Sequence, residues 1–243
     1  MSETYLSVVI PAYNEGEKLP NTLPKIYDYL KEQSYDWEIL VVSDGSKDNT
    51  AQVVKDLSSE IENLRLIDNK ENHGKGYVVK QGMLSAKGKY RLFTDADNST
   101  SIEQIEKMWP EFEKGFEVVI GSRDIEGAKL AVPQSWWRIM IGNAFNLLVQ
   151  ITCGLWGIPD TQCGFKGFTK EAAEYIFSRT QVSRFAFDAE MLVIAKKMKY
   201  KIREIPVFWV NDKRSSVKFK SMVKMAIDLF QIRLNMIKGI YER

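Results

Sequence analysis

Leu6-Ser-Val-Val-Ile-Pro-Ala-Tyr-Asn-Glu15 decides the fold of this 243-residue chain. An apolar run opens it, Pro11 stops the run, and a polar tail follows. A short apolar run ended by a breaker reads as a strand buried on both faces. The design recurs downstream: Glu38-Ile-Leu-Val-Val-Ser43, Leu64-Arg-Leu-Ile67, Tyr90-Arg-Leu-Phe-Thr94 and Glu117-Val-Val-Ile120 read as further strands. Helical patterns separate them, over Leu19 to Leu30, Thr50 to Leu57, Gly76 to Ala86 and about Ile102 to Lys114. Strands alternating with helices predict an α/β fold, a Rossmann-like, mostly parallel sheet flanked by helices. No internal repeat, low-complexity tract or proline-rich linker divides the chain. Its length suits one large domain.

Ligands of such sheets bind beyond the carboxyl ends of the strands. The segments there are Pro11-Ala-Tyr-Asn-Glu15, Asp44-Gly-Ser-Lys-Asp-Asn-Thr50, Asn72-His-Gly-Lys-Gly76 and Asp95-Ala-Asp97. Singly, each has a plain use. Pro11 ends a strand, Asp44-Gly45 makes a turn, and Asn49 or Thr50 caps a helix. Together they point to chemistry. If the strand end stays extended, Asp95 and Asp97 face one side, where two carboxylates repel unless a cation lies between them. Hard oxygen ligands suit Mg2+ or Mn2+ shared with substrate phosphates. Gly74-Lys75-Gly76 precedes a helix start, where backbone amides and a lysine favour an anion. Neither the Walker A spacing nor the dinucleotide fingerprint is present. A metal pair and an anion loop on one rim imply a substrate with phosphates.

In this order, the four segments resemble those of family 2 glycosyltransferases of the GT-A fold. Gly121-Ser-Arg123, Asp160-Thr-Gln-Cys-Gly-Phe-Lys166 and Arg184-Phe-Ala-Phe-Asp-Ala-Glu190 narrow the resemblance to the polyprenyl-phosphate hexose synthases. Among these the dolichyl-phosphate glucosyltransferases are most similar and the mannose synthases next. The likeness runs from about Leu6 to Lys218. It implies that Pro11, Tyr13 and Glu15 line the base and ribose, that Asp44 bonds the base, and that Lys75 approaches the nucleotide. It implies that Asp95 and Asp97 handle metal and diphosphate, and that the Gln162 to Lys166 loop closes on the donor sugar. Asp188 takes the place of an acidic residue facing the reaction centre; its plain reading is a carboxylate at a helix N-terminus. Arg123, Arg138, Arg214 and Lys218 would cradle the lipid phosphate. Asn98 follows the acidic pair where the mannose synthases carry Leu and then Gln, and Gly127 to Val132 lacks the family's Arg-rich loop. The first departure points away from mannose.

The overall balance of 34 basic and 32 acidic residues conceals an asymmetry. Residues 213 to 243 hold 8 basic and 2 acidic residues, hence +6, and the remainder of the chain sums to −4. In this tail Lys220, Lys224, Asp228, Gln231, Asn235 and Lys238 fall on one helical face, and Phe219, Met222, Val223, Ala226, Phe230, Leu234 and Ile237 on another. A basic amphipathic helix reads as a membrane-surface or partner helix, with an ordinary core-covering helix as the alternative. Asn143, Asn146 and Gln150 recur at helical spacing on an otherwise apolar segment from about 135 to 153, opened by Trp136-Trp137-Arg138. That suits a helix lying in a membrane interface or one in a core. The polar residues between Arg138 and Pro159 argue against a span. The N-terminus shows no secretory pattern. Two cysteines, Cys153 and Cys163, are too few for a disulfide framework.

These readings predict residues 1–212 as a GT-A catalytic domain including the interface helix, with 213–243 as a basic amphipathic helix packed on it. The resemblance implies an inverting transferase moving a hexose, first of all glucose from UDP-glucose, onto a dolichyl or undecaprenyl monophosphate at the cytoplasmic face of a membrane. GDP-mannose or UDP-N-acetylglucosamine donors, a saccharide-hydroxyl acceptor with Asp188 as base, and a non-catalytic sugar-nucleotide-binding scaffold stand as alternatives. Mg2+ or Mn2+ is the expected cofactor. A homo-oligomer or a membrane-anchoring protein is a possible partner, and nucleic acid is not expected.

Overall fold

The computed structural model describes residues 4–131, 136–210 and 219–242, with only the helical backbone at 136–139, 141 and 219–223. Chain order begins β1 (Leu6–Ala12), α1 (Leu19–Leu30), β2 (Trp37–Asp44), α2 (Thr50–Leu57), β3 (Leu64–Asn69), α3 (Lys75–Ser85) and β4 (Tyr90–Thr94). A 3-10 turn (Ile102–Lys107) leads to α4 (Trp109–Glu113), β5 (Val118–Ser122), the two-residue β6 (Lys129–Leu130) and α5 (Trp136–Cys153). The chain continues through β7 (Phe165–Thr169), α6 (Lys170–Arg179), α7 (Phe187–Lys197), β8 (Ile202–Pro206), the short β9 (Phe208–Trp209) and α8 (Phe219–Ile237).

Seven strands form one sheet in the order β3-β2-β1-β4-β7-β5-β8. All neighbours are parallel except β7, which runs antiparallel to β4 and β5. The sheet is therefore mostly parallel, as the alternation predicts. The order in which strands are added reverses between β1 and β4, which opens a crevice at their carboxyl ends. Strand alternation divides the core. Val9, Leu40, Val42 and Phe93 face α3, α6 and α7, whereas Val8, Ile10, Ile39 and Val41 face α1 and α2.

Three expectations are corrected. Residues Ile102 to Lys114 do not form one helix: the 3-10 turn ends at Lys107 and α4 starts at Trp109. Pro110 has no amide hydrogen to continue the ladder. Gln162 to Lys166 is not wholly a loop, because Phe165 starts β7. In α8 the residues that enter the core are not those read as the apolar face. Met225, Leu229 and Ile232 are buried in the core, while Ile227, Phe230, Leu234 and Ile237 are exposed. The face carrying Asp228, Gln231 and Asn235 turns toward residues 181–184, across a cavity of about 460 Å3. Likewise α5 presents Met140, Leu147 and Ile151 outward. Among the described residues no helix is long and apolar enough to cross a membrane.

A buried network fastens α8 to the core. Glu190 on α7 is fully buried and accepts hydrogen bonds from the amides of Gln181 and Val182 and from the Tyr241 hydroxyl at 2.7 Å. Tyr241 in turn accepts from Asn235 of α8 at 3.2 Å. Tyr241→Phe leaves the carboxylate one donor short, at a cost of about 1–3 kcal/mol. Thermal unfolding should show a melting temperature lower by about 2–8 °C; an unchanged melt would show that this network does not anchor the helix.

Candidate active site

The crevice holds a pocket of about 350 Å3 lined by residues from the ends of β1, β2 and β4 and from the start of α3. Of the residues expected at the nucleotide and metal, Pro11, Tyr13, Glu15, Asp44, Lys75, Asp95 and Asp97 all line it. The first two loops are stitched together. The Glu15 amide donates to Thr50 Oγ1 at 2.8 Å, the Gly16 amide to Asp48 Oδ2 at 3.1 Å, and the Lys47 amide to Asn14 Oδ1 at 2.8 Å. Thr50 thus braces the neighbouring loop, and Asn49 makes no side-chain cap.

Asp44 lines the pocket, but donors of its own chain meet its carboxylate. Oδ1 accepts from the amides of His73 at 2.7 Å and Gly74 at 3.2 Å, and Oδ2 from Asn72 Nδ2 at 2.9 Å. These bonds hold the loop before α3. Gly74 sits at φ 106°, and a β-carbon there would come within 2.4 Å of the Ser183 carbonyl oxygen. Both the angle and the close approach require glycine. The loop is fixed, and Lys75 follows it as the first residue of α3. His73 stacks on Tyr77, with ring centroids 4.5 Å apart.

Lys75 Nζ lies 2.7 Å from Asp95 Oδ1. Burial works against the lysine charge, yet Asp95, Asp188 and Asp97 outweigh it and hold its pKa above the ordinary value. Asp97 Oδ1 accepts from the Ser99 amide at 2.9 Å, and among the described residues no ion-pair partner of Asp97 is found. Glu15 pairs with Lys18 at 2.9 Å. Burial raises its pKa against the pull of Lys18, and the charges of Asp97 and Asp95 add to the rise. The donor set is therefore hard carboxylate oxygen, which fits Mg2+ or Mn2+. Of the two aspartates expected at the metal, Asp95 already holds an ammonium.

Asp188 and Lys166 do not line the pocket; they lie behind it. The Lys166 side chain is fully buried and donates to Asp188 Oδ1 at 2.6 Å and to the Cys163 carbonyl. Burial raises the Asp188 pKa, opposed by Lys166 and Lys75. Gln162 also lies outside the pocket lining, in a segment whose Gly164 packs directly on Asp95. A β-carbon at Gly164 would fall 2.0 Å from the Asp95 carboxylate, and the Gly164 carbonyl accepts the Asp95 amide. Cys163 is buried and its thiol is pushed up to about 12.

Arg123, expected at a lipid phosphate, is committed to Asp160 by two side-chain bonds of 2.7 and 2.8 Å. Burial opposes both charges, but the pair raises the arginine pKa and lowers the aspartate. Arg138 belongs to α5 by its backbone, and its side chain lies outside the described residues, as do Arg214 and Lys218. Sequence reasoning assigned no role to Arg184 and Phe185, which line the pocket together with the acidic pair. Arg184 also lines the second cavity, against α8. The Arg184-Phe-Ala-Phe-Asp188 segment was the available signal, yet the spacing to Asp188 drew attention past the arginine.

Comparison with known proteins defines the class. The family description "Glycosyl transferase family 2" matches residues 7–177, and the chain belongs to that family; it is a glycosyltransferase. Within the family it is similar to the dolichyl-phosphate beta-glucosyltransferases. It is 39% identical over 240 residues to one from Trichomonas vaginalis, covering 95% of this chain and 73% of that protein. It is 36% identical over 253 residues to the Homo sapiens protein, covering 97% and 77%. Solved structures share the GT-A fold. Mannosyl-3-phosphoglycerate synthase from Rubrobacter xylanophilus superposes with a TM-score of 0.72 at 17% identity, over 97% of this chain and 75% of that one. Glucosyl-3-phosphoglycerate synthase from Mycobacterium tuberculosis, solved with Mn2+, UDP-glucose and phosphoglyceric acid, gives 0.67 at 15% identity over 96% and 79%.

Removing one partner of the Lys166–Asp188 pair strands a buried charge. Lys166→Met should cost about 3–5 kcal/mol in chemical denaturation. The double variant Lys166→Met with Asp188→Leu should recover most of that loss. Failure to recover would show that the lysine contributes packing rather than charge balance.

Proposed function

We propose that this enzyme transfers a glucosyl group from UDP-glucose to a polyprenyl monophosphate, dolichyl or undecaprenyl, with inversion at the anomeric carbon. The observation that carries the reading is the convergence of Asp95, Asp97 and Lys75 on one pocket beyond the strands. The printed names of the relatives support the sugar and the acceptor. The Mn2+ and UDP-glucose bound to the glucosyl-3-phosphoglycerate synthase support the donor and the metal. Pro11, Tyr13 and Glu15 would border the nucleoside. Asp95 and Asp97 would hold Mg2+ or Mn2+, which when bound stabilises charge on the departing diphosphate.

An acceptor phosphate is already ionised near neutral pH, so no strong general base is needed. An acceptor oxygen attacks the anomeric carbon while the bond from that carbon to the diphosphate breaks. The residues have only to align the two phosphates and balance their charge. A saccharide hydroxyl would need a base. Asp188 is poorly suited to that task, since it is buried and bound to Lys166. Arg138, Arg214 and Lys218 remain the proposed cradle of the lipid phosphate, whereas Arg123 would have to leave Asp160 to join them.

Residues 1–212 would form the catalytic part and 213–243 the docking helix. The exposed apolar residues of α5 and α8, together with Trp156, would rest in the interface of the cytoplasmic leaflet. Lys224 and Arg233 of α8 and Lys238 just after it are exposed beside them, and the tail's charge of +6 complements anionic lipid.

Three measurements test this reading. Asp97→Ala should reduce glucosyl transfer to a short polyprenyl phosphate by about 100-fold or more; retained metal-dependent turnover would sink the assignment. Arg138→Ala should raise the KM for the lipid phosphate and leave UDP affinity unchanged. Phe230→Ser with Leu234→Ser should lower affinity for anionic vesicles in sedimentation by about 30-fold or more, at roughly 1–2 kcal/mol of lost apolar burial per residue. Equal sedimentation of the two proteins would count against α8 as the docking face.

A further inference from the structure

Three of the carboxylates around the pocket are met by a lysine before any ligand arrives. Lys18 answers Glu15, Lys166 answers Asp188, and Lys75 answers Asp95. Asp97 alone, among the described residues of this group, lacks an ion pair. A free divalent cation therefore meets one uncompensated carboxylate and another whose oxygen is held by an ammonium. Dications bound through one or two carboxylates depend on further oxygens, usually those of substrate phosphates.

Lys75 is built to exchange partners. Its backbone is fixed by the Asp44 bonds to the preceding loop and by the close approach of Gly74 to Ser183. Only the side chain is free to move. Its side chain is 26% exposed and that of Asp95 33%, so the pair stands at the pocket wall rather than sealed in the core. The contrast with Lys166, at 0% exposure on Asp188, separates a pair that can open from one that cannot. The residue also begins α3, and the N-terminal end of a helix favours an incoming phosphate.

We infer that Lys75 is a resident counter-ion: it holds Asp95 against free metal and gives it up to a nucleoside diphosphate, so that metal and nucleotide bind as a unit. The inference rests on the proposed nucleotide–metal reading of the pocket. The ammonium passes from carboxylate to phosphate, and Asp95 is released to the metal in the same exchange. No bond is made or broken. By linkage each ligand raises the affinity of the other by one shared factor.

The test uses the full chain, Mn2+ followed by electron paramagnetic resonance, and UDP followed by calorimetry. In the wild type UDP should tighten Mn2+ binding by about 10- to 100-fold, a usual range for such coupling. Lys75→Met should bind Mn2+ alone about tenfold more tightly than the wild type, because Asp95 is freed, and its coupling to UDP should collapse toward unity. Lys75→Arg, which restores a cation opposite Asp95, should restore weak binding of the metal alone. Circular dichroism melts of both variants identify any loss of folding, and the arginine variant then carries the comparison. If UDP binds but Mn2+ affinity and coupling are the same in Lys75→Met and the wild type, the counter-ion role is overturned while the pocket reading stands. If UDP fails to bind the wild type with or without Mn2+, both fall.

Discussion

Four carboxylates, Glu15, Asp95, Asp97 and Asp188, gather around one crevice, and carboxylates so placed repel one another unless cations stand among them. Much of the surrounding structure serves that requirement. Lys166 reaches Asp188 because β7 is inserted between β4 and β5. Lys75 reaches Asp95 because α3 begins at the crevice. The same charges that hold the folded chain together set the terms on which a charged substrate enters.

The loops that carry these groups are braced by one another instead of by ligand. Asp44 spends its carboxylate on the three residues that precede Lys75. Asp48 bonds the Gly16 amide and Thr50; burial works against its charge, but these bonds keep its pKa below the usual range. Such bracing preorganises a phosphate site, so that little ordering cost falls due when a substrate binds. It also explains why an arginine from residues 181–185 takes part: that segment is pinned to Gly74 and Gly76 by contacts too close for any side chain.

The C-terminal helix shows how one element serves two environments. Its inner apolar residues complete the core against α7, and a second set of apolar residues is left outward. Apolar side chains scattered singly on a surface need no explanation, but several along neighbouring helices, rimmed with lysine and arginine, do. This outward set is the surface that the proposed lipid-borne acceptor would require.

Local pattern was enough to determine β1 to β5, the first three helices between them and most of the crevice residues. Apolar runs of strand length and the short polar motifs after them are properties of contiguous residues. The strands Tyr90–Thr94 and the helices Leu19–Leu30 and Thr50–Leu57 agree with that pattern end to end. Tertiary structure alone decided the rest. Phe165–Thr169 carries a lysine and a glycine and shows no strand signal until β4 and β5 close on either side of it. Which apolar residues of α8 are buried is settled only where the core takes up Met225, Leu229 and Ile232. Which lysine answers which carboxylate depends on distances between residues 20 positions apart in the chain for Lys75–Asp95 and 22 for Lys166–Asp188, and a charge pair forms by proximity in space, which sequence order does not encode.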